Sequence, residues 1–280
     1  MSDGAGRPKR RALVTGASRG IGRAAALSLA RDGWDLALSA RTVREGSSAV
    51  LPSSRSRAAE LGTVALPGSL ERTAAEAAAF GAHCTLVPMD LLDRASVEAA
   101  AAVVAASALD AVVLAGIYQG PGYMETIEGL DLDDAHTILV GNYLHQVALI
   151  KALLPTLLAD GGGSLVNLTS HAARHDPPAM VGKGGWGMAY AAGKAAMHRV
   201  VGHLHVEFAD RGLRAYNVDP GNVLNEMAKA TATGLTMTGS PPEPIGDVIA
   251  WLCAGNSEAL AFAGRTVVAP KLLAEWNRGT

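Results

Sequence analysis

Tyr190 and Lys194 stand four residues apart in Tyr190-Ala191-Ala192-Gly193-Lys194, inside a stretch, 188–211, that reads as one helix. Residues at that spacing project from the same helical face. A free phenol, with a pKa near 10, is a poor acid or base at neutral pH. An ammonium beside it stabilises the phenolate and brings it toward the working range, and the same lysine can bond a ribose. A Tyr-x-x-x-Lys pattern alone is common; its company and order lift it above chance. Ser170 places a hydroxyl at the C-terminal end of the apolar run 164–169, the edge where open α/β sheets bind ligands. Asn142, in the long helical stretch before it, offers an amide for a water or a backbone carbonyl. Asp219-Pro220-Gly221 follows the next strand and turns the chain there.

A second chemical signal lies near the N-terminus, in Thr15-Gly16-Ala17-Ser18-Arg19-Gly20-Ile21-Gly22, directly after a strand and opening a helix. Gly16 permits the sharp turn, Gly20 lets the backbone approach a pyrophosphate, and Gly22 lets the helix pack closely on the strand. Anionic oxygens then meet free N–H groups at a helix N-terminus. The spacing is G-x-x-x-G-x-G, not the commoner G-x-G-x-x-G. An NAD site places an acid about 20 residues further on, for the ribose 2′-hydroxyl. Here the second strand ends Leu38-Ser39-Ala40-Arg41, without a carboxylate. Arg41 and Arg19 are instead suited to clamp a 2′-phosphate, so NADP(H) is expected over NAD(H).

These groups need a scaffold. Short apolar runs at 12–15, 35–39, 84–88, 111–115, 164–169, 214–218 and 265–268 alternate with alanine-rich stretches at 20–32, 70–80, 96–107, 133–158, 188–211 and 245–254. Strand–helix alternation predicts a Rossmann-like, doubly wound parallel sheet of about seven strands with helices on both faces. One domain is expected over 11–280, after a frayed basic tail at 1–10. Three segments read as inserted loops: 42–67, rich in Ser, Arg and Gly; 171–187, with Pro177-Pro178 and four glycines, on the ligand side; and 230–244, which reads equally as a lid or an ordinary surface loop.

Composition excludes several classes. Across 280 residues, 49% are hydrophobic and 18% charged, which argues against a disordered chain. Aromatics are 4% against 53 alanines and 32 glycines, so the core rests on close packing of small side chains. A net charge of −2 gives no support to a nucleic-acid binder. Cys84 and Cys253 are too few for a disulfide framework, and a reducing cytoplasm is the default expectation. No uninterrupted apolar run approaches the ~20 residues of a membrane span. His198, His203 and His205 share one predicted helix and His171 and His175 are four apart, but no third ligand converges, so no metal site is expected. His171, Met180 and Trp186 are candidates to meet an apolar substrate.

From Arg11 to about Pro270, the ordered motifs resemble the short-chain dehydrogenase/reductase family. The resemblance implies a catalytic tetrad of Asn142, Ser170, Tyr190 and Lys194. It implies cofactor contacts at Gly16, Ser18, Arg19, Gly20, Ile21, Gly22, Arg41, Asp90, Leu91, Ala115, Gly116, Tyr190, Lys194, Pro220, Gly221 and Val223, with Asp90 on the adenine. It further implies hydride exchange between NADP(H) and a small-molecule carbonyl or alcohol, with Asn142 anchoring a proton-relaying water. A homodimer or homotetramer is implied, paired through 133–158 and 188–211. The chain departs from the family pattern in four places. Val113-Leu114-Ala115-Gly116 replaces the usual Asn-Asn-Ala-Gly, and Asn225 stands for the usual threonine. Ser170 and Tyr190 are 20 apart instead of about 13, and 42–67 is inserted. Two other functions stay open on this scaffold: an NADP-binding sensor, for which the intact tetrad would be idle, and an epimerase or dehydratase that recycles its cofactor.

Overall fold

The computed structural model describes residues 9–224, 226 and 239–278. In chain order the elements are β1 (Arg11–Thr15), α1 (Gly20–Arg31), β2 (Asp35–Ala40), β3 (Ala49–Val50), α2 (Arg55–Leu61), β4 (Val64–Ala65), α3 (Leu70–Ala78), β5 (Cys84–Pro88), α4 (Arg94–Ala105) and β6 (Ala111–Leu114). There follow α5 (Leu132–Leu139), a π turn (Val140–Leu144), α6 (His145–Leu157), β7 (Ser164–Leu168), α7 (Met188–Phe208), β8 (Arg214–Asp219), α8 (Glu243–Ala254), α9 (Ser257–Leu260), β9 (Thr266–Val268) and α10 (Ala269–Trp276).

Seven strands form one parallel sheet in the order β5-β2-β1-β6-β7-β8-β9. Alternate strand residues feed opposite cores. Ala12, Val14, Leu36, Leu38, Val113, Val166 and Val218 face α1 and α8. Leu13, Ala37, Val112, Leu114, Leu165 and Ala215 face α4, α6 and α7. A strand buried on both faces cannot alternate apolar with polar residues, which is why these segments read as continuous apolar runs. The strand order reverses at β1, between β2 and β6, and opens a crevice outside the carboxyl ends there. This is a single α/β domain of Rossmann-like, doubly wound type.

Four expectations change. The 42–67 segment is no plain loop: β3 and β4 pair antiparallel around the seven-residue α2. The helix expected over 133–158 is interrupted by the π turn, and α9 and α10 extend the C-terminal region beyond the expected elements. Residues 1–8 of the basic tail lie outside the described residues, while Lys9 and Arg10 are fastened to the fold. Arg10 stacks 4.2 Å from the Trp34 ring centre, and Lys9 donates to Gly81 O. Finally, 132–157 is long and apolar enough, by length and composition, to cross a membrane. Charged residues interrupt its apolar run, and Leu149, Ile150, Leu153 and Leu157 belong to the second core. Most of 230–244, and Asn225, lie outside the described residues.

Candidate active site

The glycine turn leaves β1 and enters α1 at Gly20. Gly16 has φ +66°, and a Cβ there would lie 2.8 Å from Gly116 Cα, so the two chain segments touch backbone to backbone. A Cβ on Gly22 would sit 2.3 Å from Gly16 O, which closes the helix onto the turn. Thr15, not foreseen as a site residue, ties this turn to the end of β6. Its hydroxyl donates to Val113 O (3.3 Å) and accepts the Gly116 N–H (2.9 Å). In this way it bridges β1 and β6 where the family's asparagine is missing.

A cleft of about 530 Å³ opens from this turn. Of the expected cofactor residues it is lined by Gly16, Ser18, Arg19, Gly20, Gly22, Arg41, Asp90, Leu91, Ala115 and Gly116. Ile21 instead packs against the first core, as does Val223. The lining among the described residues does not reach Pro220 or Gly221, which follow β8. Arg19 is less free than expected: Nε donates to Pro67 O (2.9 Å) and Nη2 to Gly68 O (3.0 Å) and Thr42 Oγ1 (3.3 Å). Burial lowers its pKa; nearby Glu226 opposes that, and the neighbouring Arg41 charge adds to it. Arg19, at the start of α1, and Arg41, after β2, thus both line the cleft. Asp90 caps a turn, accepting the Leu92 N–H at Oδ1 (2.9 Å).

The inserted β3–α2–β4 unit spans this cleft. Val50, Leu51, Thr63 and Leu66 line it on one side, Tyr118, Gln119 and Gly120 on the other. The unit is joined across the opening: Met124 N–H donates to Ser53 O (2.9 Å), and Arg55 N–H to Glu125 Oε1 (2.6 Å). The Arg55 guanidinium also pairs with Asp134 (2.5 Å) and Asp131 (3.1 Å).

Asn142, Tyr190 and Lys194 meet in a second, smaller cavity of about 10 Å³, together with Gln146 and Asn167. Of the two partners open to Asn142, the structure has the backbone. Oδ1 accepts the Tyr118 N–H (2.7 Å) and Nδ2 donates to Tyr118 O (2.9 Å). The Asn142 carbonyl, in the π turn, accepts from Gln146 Nε2 (3.1 Å). Lys194 is partly exposed as a residue, but its ammonium turns inward and Nζ donates to Leu168 O (2.6 Å). Burial lowers its pKa to about 8, with the Asp219 charge opposing.

The Tyr190 phenol is pushed up, not down as its spacing from Lys194 suggested. Burial dominates, the Ser170 hydrogen bond pulls back, and Asp219 adds to the rise. Tyr123, which sequence reasoning passed over, packs against Tyr190 with ring centres 4.7 Å apart and the rings tilted by 42°. Asp219 and Arg174 were also missed as site residues, although they form an ion pair at 2.9 Å whose Asp219 end is buried. His171 stacks on His175 (3.9 Å) and meets Trp186 edge-on (6.0 Å), so the 171–187 segment presents an aromatic group beside Ser170. Among the described residues no three His, Cys, Asp or Glu side chains converge.

A Rossmann-like sheet, a glycine turn at its switch point and a Ser–Tyr pair with a lysine at its carboxyl edge define the class. The chain belongs to the short-chain dehydrogenase/reductase family of oxidoreductases: the short chain dehydrogenase model matches residues 10–61 and 61–235. It is 31% identical over 265 residues to the short chain dehydrogenase mpl6 of Monascus purpureus, covering 90% of this chain and 78% of that one. It is 28% identical over 216 residues to the glycine betaine reductase ATRR of Emericella nidulans, but spans only 14% of that longer protein. An alcohol dehydrogenase from the archaeon Thermococcus sibiricus, complexed with 5-hydroxy-NADP, superposes with a TM-score of 0.68 at 26% identity, over 93% of this chain and 95% of that one.

Proposed function

We infer that the protein is an NADP(H)-dependent oxidoreductase that interconverts a carbonyl and a secondary alcohol on a hydrophobic small molecule. The observation that carries this reading is Tyr190 and Lys194, one helical turn apart on α7 and lining the same small cavity, with Ser170 at the end of β7 and a cleft that opens at a helix N-terminus. The cleft fits the cofactor: Gly16 and Gly22 leave no room for a Cβ, so backbone N–H groups are laid bare for phosphate. The nicotinamide, when bound, supplies or takes up the hydride. Tyr190 donates the proton to the substrate oxygen in the reductive direction, and Ser170 hydrogen-bonds the developing oxyanion. Lys194 holds the ribose and serves the phenol. The small cavity bounded by Asn142, Gln146, Asn167 and Lys194 has the size and polar walls for one water, which suits a proton path to solvent.

The paired cations Arg19 and Arg41, and the absence of an acid at Ala40-Arg41-Thr42, favour a 2′-phosphate. Tyr123, His171 and Trp186 favour an apolar substrate. The same reading makes the enzyme a cytoplasmic homo-oligomer with free Cys84 and Cys253, paired through the 132–157 helix and α7, where Leu144 and Val206 are exposed. Tyr190→Phe is expected to keep NADPH binding, measured by fluorescence, while turnover of a ketone panel falls about 10³-fold. Full turnover in that variant would overturn the assignment. NADPH is expected to bind more tightly than NADH, and the reverse order would overturn the cofactor choice.

A further inference from the structure

Asp219, the last residue of β8, has no part in the chemistry above. Its side chain is buried, and a carboxylate taken out of water is costly unless bonded. Here both oxygens are used: Oδ1 accepts the Gly221 N–H (3.2 Å) and Oδ2 accepts Arg174 Nη2 (2.9 Å). β7 and β8 run in parallel register with Leu168 opposite Val218. Asp219 therefore begins the turn beside the carbonyl, Leu168 O, that receives the Lys194 ammonium. Arg174 lies just after Ser170, at the start of the 171–187 segment.

We propose that Asp219 is a positioning residue for Lys194: its buried carboxylate supplies the counter-charge that keeps the ammonium protonated, and Arg174 moderates that charge from the substrate side. The inference rests on Lys194 being the lysine of the oxidoreductase site. The groups around Lys194 are Tyr190 and His198, one turn before and after it on α7; Ser170 and Thr169 at the end of β7; Asn142 in the π turn; and Asp219 from β8. Thr169 Oγ1 holds His198 Nδ1 at 2.9 Å, and burial, then Arg174 and Arg199, press His198 toward its neutral form while Asp219 opposes them. Among the described residues Asp219 is thus the anion that acts on the lysine against its burial. The arrangement joins the loop that shapes substrate binding to the charge of the catalytic helix.

The test is a ¹³Cε-lysine NMR titration of the full-length protein, which has six lysines, with Lys194 assigned through Lys194→Arg. Asp219→Asn keeps an acceptor for Gly221 but removes the charge, and is expected to lower the Lys194 midpoint by about one pH unit or more. Arg174→Met leaves the carboxylate uncompensated and is expected to raise it. A merely structural role would loosen the site in both variants, rehydrate the ammonium and raise both midpoints together. An unchanged or raised midpoint in Asp219→Asn overturns the proposal. Should that variant fail to fold, an unchanged or lowered midpoint in Arg174→Met overturns it. The titration needs neither cofactor nor substrate, so it stands or falls separately from the oxidoreductase reading, which Tyr190→Phe addresses.

Discussion

Lys194 shows at the scale of one residue what the proposed site costs this fold. Its ammonium is buried against a single carbonyl, Leu168 O, and its pKa drops from 10.5 to about 8. Between those two values the unfolded chain holds a proton that the folded chain has lost, so stability rises with pH through that window. Below about pH 8 the folded state carries the full burden, about 3 kcal/mol for such a shift. Lys194→Met is therefore expected to be inactive yet more stable at pH 7, by ~2 kcal/mol after about 1 kcal/mol is lost with the orphaned carbonyl. The gain should vanish by about pH 10.5, where the folded lysine is neutral and the unfolded one half neutral, so little of the burden is left; urea melts at pH 7 and 10.5 measure it. A loss of stability at pH 7 would show that the lysine is not strained there. The sequence made Tyr190, Lys194 and Ser170 legible because short spacings and a strand end specify them. Asp219 and Arg174 were hidden, since their pairing spans 45 residues and depends on how the loop after β7 folds back.

At the scale of elements, the inserted 42–67 unit is the main surprise. Two strands of two residues and a seven-residue helix give no periodicity that a sequence window can resolve. Its position across the cleft follows from contacts to 124, 125, 131 and 134, far away in sequence. The long regular elements were legible because each repeats one pattern for a dozen residues, while the π turn was not, since it shifts the hydrogen-bonding register without marking composition. The Arg55 pairs are exposed, so salt should weaken them. Arg55→Ala is expected to speed NADPH dissociation a few-fold in stopped-flow fluorescence at low salt, and to remove most of the acceleration that added salt causes in the parent. Identical release rates at every salt concentration would show that the unit does not restrain the cofactor.

For the molecule as a whole, small residues replace aromatics as the means of joining layers. Gly246 of α8 faces α1 so closely that a Cβ would lie 2.6 Å from the Ala24 carbonyl. Ala24, Ala25 and Ala26 line the α1 side of that contact. The two helices cover one face of the sheet together, and α1 carries the phosphate turn at its start. Gly246→Val is expected to cost about 2–3 kcal/mol by overpacking and to weaken NADPH binding as well, because α1 must shift. Denaturant melts and cofactor titration of the same preparation check both; unchanged stability would mean that the helices have slack. The alanine and glycine excess thus foretold close layers, and the alternation of strand and helix foretold the parallel sheet. Which residues touch across the layers was not legible, because it depends on interaxial distance.

The π turn at Val140–Leu144 has a consequence for chain length. A turn closed on the fifth residue holds one more residue than regular α geometry requires. Deleting any one of the five would let the helix regularise, leaving the flanking turns in phase but re-spacing the residues that remain within it. Asn142 would then swing off the Tyr118 backbone it now clamps at both ends. Here the count of residues is under tighter constraint than their identity. Exchanges of Val140 or Leu144 are tolerable where deleting either one would pull Asn142 from its place in the wall of the small cavity beside Lys194.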